Sequence, residues 1–315
     1  MALLRAISPS DPVTRRALDG LESTCPILRD AQFYNRPGSA DSVKQARDGG
    51  GQSTIYRSIN DSPNVATPPT PSYLTPAKKL ISWDAKADVQ LEARNEDPET
   101  ELSLQTFLES REVGWTLQND VFNGDDAGNA EAFDGFKNIV NGSWVIPCAT
   151  DGLVLQLGNS DDAVAAQQLA IRELKKAIRR VRGGATHMYM NGDLLATWLI
   201  LAKSIGYYRQ SKDELGNDLE LIAGVIVRDT GLAKAGTEIL PFSETTGAST
   251  NCSSIYLVRW GERVDLSILT SNGLQARYSG QNGNFLVNNM NMDFQFVLQD
   301  PTALVQSSGW RLTAA

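Results

Sequence analysis

One long helix with clear ends is the sequence feature that most restricts what this chain can fold into. Asp97 is suited to cap the helix and Pro98 to occupy its first position. Apolar residues then recur at near-helical spacing, at Leu104, Phe107, Leu108 and Trp115. Gly124 follows as a stop signal, and Gly114 inside the run weakens the prediction of an unbroken helix. The sequence predicts a helix from Pro98 to Phe122, about 37 Å long.

A strictly alternating segment near the C-terminus predicts a long strand with one buried face. Its apolar members are Met290, Met292, Phe294, Phe296 and Leu298. At period two the methionines belong to a core, not to a cofactor site. Two more helices are predicted, at 161–182 and 191–207, and three more strands, at 221–227, 254–258 and 264–269. This mixture predicts an α+β fold.

Composition excludes several classes of protein. Hydrophobic residues are 41% and charged residues 21% of the 315, which is typical of a folded soluble chain. The formal charge of −8 argues against a stand-alone nucleic-acid binder, which needs a basic footprint. No apolar run approaches the roughly 20 residues of a membrane span, and we expect no secretory signal. Three scattered cysteines suggest assembly in a reducing cytoplasm.

Catalytic groups are scarce. His187 is the only histidine, no G-x-S-x-G or C-x-x-C motif occurs, and a structural role for His187 is favoured over a catalytic one. Asp125 and Asp126, with Glu131 and Asp134, could bind a divalent cation, but a polar loop after the helix fits their spacing better. We therefore predict no enzyme activity, no metal and no cofactor.

The first 76 residues contain the segments expected to be extended. Residues 1–32 show little core pattern and are interpreted as an arm ordered by neighbours, with a frayed terminus as the alternative. The three glycines of 49–51 lie between β-prone pieces at 32–34 and 54–59, which predicts a hairpin with a flexible tip. Five prolines in 63–76 indicate a stiff connector, with an SH3-type PxxP ligand as the alternative.

The second predicted helix ends in a basic stretch. Six cations lie there, at Arg172, Lys175, Lys176, Arg179, Arg180 and Arg182. They could contact packaged nucleic acid, but cations near a helix C-terminus also complement its dipole. A solvated face is the favoured interpretation, and both stay open.

The order of several short motifs resembles the major capsid proteins of tailed bacteriophages, which share the Hong Kong 97 fold. The motifs are Tyr34-Asn35-Arg36 and 56–61, the pair 121–125 and 131–137 (VFNGD and EAFDGFK), Tyr189-Met190-Asn191, 254–261, and 300–303. The glycine-containing pair is the most specific of them, and the resemblance covers nearly the whole chain.

The resemblance implies a Hong Kong 97-like organisation. Residues 1–32 would be an N-arm and 33–66 an extended hairpin, the E-loop. Residues 67–145 would form a peripheral domain with its spine helix at about 98–122. Residues 146–276 would form an axial domain, and 277–315 the return strand to the peripheral domain and the C-terminus.

The resemblance also implies site residues. Subunit-interface residues would be Tyr34, Arg36, Lys44, Arg47, Tyr56, Arg57 and Asp61. Structural-motif residues would be Asn123, Gly124, Asp125, Phe133, Asp134 and Gly135. Lys44 is the only lysine of the hairpin, and a cross-link through it is not implied. Gly124 is expected in a left-handed conformation.

The implied function is a major capsid subunit that assembles as hexamers and pentamers into an icosahedral head enclosing double-stranded DNA. Its expected partners are further copies of the chain, a separate scaffolding protein, a portal, a decoration protein and DNA held by non-specific contacts, in a virion assembled in the host cytoplasm. The alternatives are an encapsulin-like shell around a cargo enzyme and, far behind, a hydrolase that uses His187.

Overall fold

The structure is a computed structural model that describes residues 3–35, 45–47, 59, 72–74, 77–94, 97–140, 142–212 and 218–312. Seven α-helices lie in these residues: α1 Leu4–Ile7, α2 Pro12–Thr24, α3 Ile27–Asp30, α4 Pro98–Asn123, α5 Phe136–Ile139, α6 Asp161–Arg180 and α7 Gly192–Ser204. Short 3₁₀ helices lie at Val89–Arg94, Gly142–Trp144 and Pro301–Ala303.

The predicted long helix is confirmed as α4. Its N-cap Asp97 accepts a hydrogen bond from the Glu99 backbone N–H at 3.1 Å, and the helix runs unbroken through Gly114. The other two predicted helices are also present, slightly shorter, as α6 with Ser160 as its cap and α7 with Asn191 as its cap.

Sixteen strands lie in the described residues. They are β1 Phe33–Asn35, β2 Gln45–Arg47, β3 Ser72–Leu74, β4 Lys79–Asp88, β5 Val145–Pro147, β6 Leu153–Leu155, β7 His187–Met190, β8 Tyr208–Lys212, β9 Asp218–Ile222, β10 Val225–Asp229, β11 Glu244–Thr246, β12 Ser249–Val258, β13 Leu266–Thr270, β14 Gln275–Asn282, β15 Phe285–Leu298 and β16 Leu304–Leu312.

The first sheet is organised by β15. This strand pairs antiparallel with β13 and β14 along one side and with β4 along the other, and β1 adds in parallel beyond β13. The predicted buried face of β15 is confirmed, since its alternating apolar residues are at most 4% exposed. Helices α4 and α2 cover this face.

The second sheet has the order β5-β16-β12-β7-β10-β9-β8, with β6 and β11 pairing at its margin. Residues of α6 and α7 pack on it around Trp198 and Trp310. The prediction of one strand over 221–227 is wrong. Ala223 and Gly224 both have positive φ, 52° and 85°, and turn the chain between β9 and β10. A continuous apolar run concealed this two-residue turn.

The chain changes sheet at other places than the domain boundaries that the resemblance implied. β13, predicted within the axial part, pairs in the first sheet, and β16, predicted with the peripheral part, pairs in the second. Sheet membership depends on pairing between distant segments, and a strand pattern alone does not reveal its partner.

The N-terminal segment belongs to the core of the subunit itself. Leu4, Leu18, Leu21 and Ile27 are at most 2% exposed, and α2 packs along α4. The expectation that residues 1–32 gain order only from neighbours is therefore wrong for the described part, 3–32. Of their apolar residues, Leu3 and Ala6 are exposed, and the buried ones pack in one core with residues of α4 and the first sheet.

The strands of the predicted hairpin, 32–34 and 54–59, are not seen paired with each other in the described residues. β2 pairs antiparallel with β3, in the register Arg47↔Ser72, and β1 pairs with β13. The predicted return strand, 54–59, lies outside the described residues except for Ile59. Residues 48–71 thus connect the two paired strands.

We predict that Gly20→Ala destabilises the subunit. A Cβ at Gly20 would lie 2.5 Å from the Phe107 carbonyl oxygen of α4, so the helices must separate. Overpacking of this kind costs about 1–3 kcal/mol, more than the roughly 1 kcal/mol that alanine gains over glycine in a helix. Urea unfolding of dissociated subunits measures the effect.

The matched control is Gly142→Ala, because a Cβ there meets no atom within 4 Å. Equal stabilities for the two variants would contradict the close approach of α2 and α4.

Candidate subunit interface

The pair β2–β3 is the candidate interface element. Among the described strands these two pair only with each other and join neither main sheet. Three residue pairs hold them together. An isolated two-stranded hairpin is marginally stable in water, so this element needs a surface to pack on.

Among the predicted interface residues, Tyr34 is the one whose side-chain contacts the structure describes. Its ring packs beside Leu269 and Val297 at the edge of the first sheet, and the Arg263 guanidinium lies 4.8 Å from the ring centre. Arg47 ends β2. The remaining predicted interface residues lie outside the described residues: Arg36, Lys44, Tyr56, Arg57 and Asp61. Their grouping at one interface stays a prediction.

The predicted structural motif forms a tight joint at the end of α4. Gly124 N–H donates to the Asp120 carbonyl at 2.8 Å, and the Gly124 carbonyl accepts from Gly135 N–H at 2.9 Å and from Asn138 Nδ2 at 2.7 Å. Asn123 Nδ2 donates to the Ile239 carbonyl at 3.0 Å. The two parts of the motif, eleven residues apart, are thus hydrogen-bonded face to face.

Gly124 does not adopt the predicted left-handed conformation. Its φ of −54° and ψ of 143° are open to any residue. The requirement for glycine is steric. A Cβ at Gly124 would lie 2.4 Å from the Phe133 carbonyl oxygen, and one at Gly135 would lie 2.6 Å from the Asp120 carbonyl oxygen. Two chain segments approach each other too closely for any side chain.

Aromatic side chains surround this joint and connect both sheets. The ring centre of Phe136 lies 5.3 Å from that of Phe122 and 5.2 Å from that of Phe296 in the first sheet. It also lies 5.9 Å from Tyr256 in the second sheet, and Phe122 lies 5.9 Å from Tyr189. Each of these five residues is at most 3% exposed. The sequence analysis did not predict this cluster, although Phe122 lies two residues before Gly124 and Phe136 directly follows Gly135.

The acidic residues of the motif act as loop acceptors. Asp125 accepts from Ala127 N–H at 3.0 Å, Asp134 from Asp126 N–H at 3.1 Å, and Asp126 pairs with Lys79 at 2.7 Å. No group of three or more candidate metal ligands occurs in the part of the chain that the structure describes. The polar-loop interpretation thus accounts for these three carboxylates.

A partly buried ion pair links the N-terminal segment to the second sheet. Asp30, at the end of α3, accepts two hydrogen bonds from Arg228 of β10, at 3.0 and 2.9 Å. His187 Nε2 lies 3.7 Å from the same carboxylate. Residues 198 positions apart form this pair, and no sequence pattern pointed to it.

The surroundings of His187 are those of a structural residue. Its Nδ1 lies 3.0 Å from Thr186 Oγ1, and its ring stacks on Tyr189 with 6.1 Å between centres. Burial lowers the pKa of His187, which the Asp30 charge partly opposes and the Arg228 charge reinforces. The ring is therefore neutral at pH 7.

Among the described residues, no helix has the length and apolar character needed to cross a membrane. No family model and no curated protein matches the chain.

Solved structures share the fold. The holo-SrpI encapsulin complex from Synechococcus elongatus is 12% identical, with 92% of this chain and 89% of that chain covered and a TM-score of 0.60. The capsid of a native GTA particle is 14% identical, with coverages of 92% and 90% and a TM-score of 0.57. The capsid of an empty GTA particle is 16% identical, with coverages of 90% and 89% and the same TM-score. This chain thus has the Hong Kong 97-like capsid fold, as the resemblance implied.

We predict that Gly135→Ala lowers the free energy of unfolding by about 1–3 kcal/mol, because the new methyl group cannot fit against the Asp120 carbonyl. Gly128→Ala is the control from the same loop, since its Cβ would meet only the Asp125 side chain, no closer than 3.0 Å. Chemical denaturation compares the two. A similar loss of unfolding free energy in both variants would argue against the close contact between Gly135 and the Asp120 carbonyl.

A second prediction concerns pH. Because the pKa of His187 is lowered in the folded state, the unfolded chain takes up the proton first as the pH falls below about 6.5. Wild type should therefore lose stability relative to His187→Gln between pH 7.5 and 5.5. Urea unfolding at several pH values measures the stability difference between wild type and His187→Gln. A difference that stays constant with pH would show that burial does not shift the pKa of His187.

Proposed function

We propose that this chain is the major capsid subunit of a tailed bacteriophage, which assembles as hexamers and pentamers into an icosahedral head around double-stranded DNA. The Hong Kong 97-like fold supports a shell-forming role. The observation that carries the proposal is the β2–β3 pair, which no described strand of either main sheet extends. A subunit that acted alone would gain nothing from this element.

The β2–β3 pair would work by packing on a neighbouring subunit. The helices α2 and α4 and the two sheets form the core of one subunit, and no described strand of either sheet pairs with the hairpin, which we propose makes contacts between copies. Each such contact is weak, but it repeats at every position of a closed shell, and the repeats add up to strong association.

The edge of β4 offers a second surface of the same kind. β4 pairs with β15 on one side, and no described strand pairs with its other side. Leu80 on this strand is 66% exposed. An unprotected edge with an exposed leucine is a template for association unless a neighbour covers it. We propose that a neighbouring subunit does so.

The proposal includes the partners that a phage head requires. These are a separate scaffolding protein during assembly, a portal at one vertex, a decoration protein on the outside, and packaged DNA held by non-specific contacts. The head would be assembled in the host cytoplasm, with the mature protein in the virion and no catalytic role in the subunit.

An encapsulin-like compartment is the second candidate function, because one of the solved structures with this fold is an encapsulin complex. The contents of purified shells separate the two functions. Double-stranded DNA inside native particles supports the phage head, and a folded cargo protein supports the compartment. Portal and terminase genes next to the gene for this chain would also support the phage head.

The proposal predicts that replacing residues 48–71 by Asn-Gly impairs assembly and spares the fold. The register Arg47↔Ser72 allows β2 and β3 to be joined directly by a two-residue turn. The melting temperature of dissociated subunits should stay within about 2 °C of wild type, because described residues outside 48–71 already form both core clusters. Shell yield by sedimentation should fall at least tenfold.

A control variant keeps the length and replaces 48–71 by glycine and serine. It should fold equally well and assemble poorly, since it keeps the reach of the loop and loses its side chains. Normal shell yield from both variants would remove the proposed role of the hairpin.

A further inference from the structure

The outward face of α6 concentrates positive charge in an acidic chain. The last nine residues of α6 and the two that follow it, 172–182, hold six cations and one carboxylate, Glu173, which gives a formal charge of +5. Because the whole chain carries −8, the remaining residues carry −13. The local charge is positive although the rest of the chain is negative, and this contrast indicates a binding surface for a polyanion.

The cations form one stripe on the helix. Arg172, Lys175, Lys176, Arg179 and Arg180 follow the three- and four-residue spacing of one helix face, and all are exposed. The opposite face, with Ala170, Leu174 and Ala177, is buried against the second sheet. The stripe runs about 12 Å from Arg172 to Arg180, which matches roughly three to four phosphates of one DNA strand.

The helix dipole explains only part of this stripe. Its effect falls off within the last turn, so it accounts for Arg179 and Arg180 but not for Arg172, Lys175 and Lys176. Two of these earlier cations pair with the single carboxylate Glu173, and Lys175 lies on the Tyr207 ring. Arg179, Arg180 and Arg182 form no ion pair within the described residues.

The chemistry of the stripe favours phosphate over a protein partner. Arginine binds phosphate through two parallel N–H groups, and four of the six cations are arginines. Protein interfaces need a buried apolar centre and are poor in lysine. No apolar side chain interrupts the stripe between Arg172 and Arg180 on its exposed face.

We infer that the outward face of α6 binds the phosphate backbone of duplex DNA without sequence preference, and that this face lines the inside of the shell. The inference rests on the proposed function and adds to it the surface that holds the packaged DNA. Each neutralised phosphate releases counterions, so binding must weaken steeply with salt.

The test uses the full-length chain below its assembly concentration and a 40-base-pair duplex of arbitrary sequence. Affinity is measured by fluorescence anisotropy from 50 to 200 mM NaCl. The variant Arg179→Gln/Arg180→Gln/Arg182→Gln should bind more weakly, and the slope of log K against log salt should become shallower by up to about 2.7, at roughly 0.9 for each phosphate contact.

The matched control is Arg15→Gln/Arg16→Gln/Arg277→Gln, which removes the same charge from three exposed arginines on α2 and β14. It should keep the wild-type slope. Equal slopes for the two triple variants, or no binding by wild type, would overturn the inference.

Electron microscopy of the same preparations separates this inference from the proposed function. Shells formed by wild type, together with equal DNA slopes, would leave the capsid role standing and remove the DNA face. A triple α6 variant that keeps the wild-type slope but no longer forms shells would show that the face contacts another copy of the chain. Absence of shells from wild type would count against the proposed function itself.

Discussion

The close approach of Gly124 and Gly135 is the constraint on which the rest of the subunit depends. Their hydrogen bond brings the end of α4 and the start of α5 into contact, and no side chain fits between them. This contact places Phe122 and Phe136 side by side, and these two rings touch aromatic residues of both sheets. Helix α4 and aromatic residues of the second sheet thereby share one core.

Much of this fold could be predicted from local pattern. The caps and spacing of α4 and the alternation of β15 are signals that lie within one segment, and both predictions are confirmed. The motif around Gly124 and Gly135 was also singled out, but for a left-handed backbone that it does not have. Glycine can be required by conformation or by crowding, and one sequence does not distinguish the two.

The errors share a cause, which is dependence on distant partners. The N-terminal helices look weakly amphipathic, yet Gly20 and its neighbours fit against α4 about ninety residues later. The pair Asp30–Arg228 joins residues that no periodicity relates. The partner of β2 proved to be β3, beyond the proline-rich stretch. Five of the seven predicted interface residues lie outside the described residues, so that part of the site rests on resemblance and stays a proposal.

The described residues thus combine a large core with strands whose free edges no other described strand pairs. In the proposed shell, further copies would cover the β2–β3 pair and the edge of β4, which no other described strand extends. Electron microscopy of the purified, overexpressed chain tests this most directly. The account predicts closed shells in which the hairpin of one subunit lies on its neighbour. A monodisperse monomer at high concentration would contradict it.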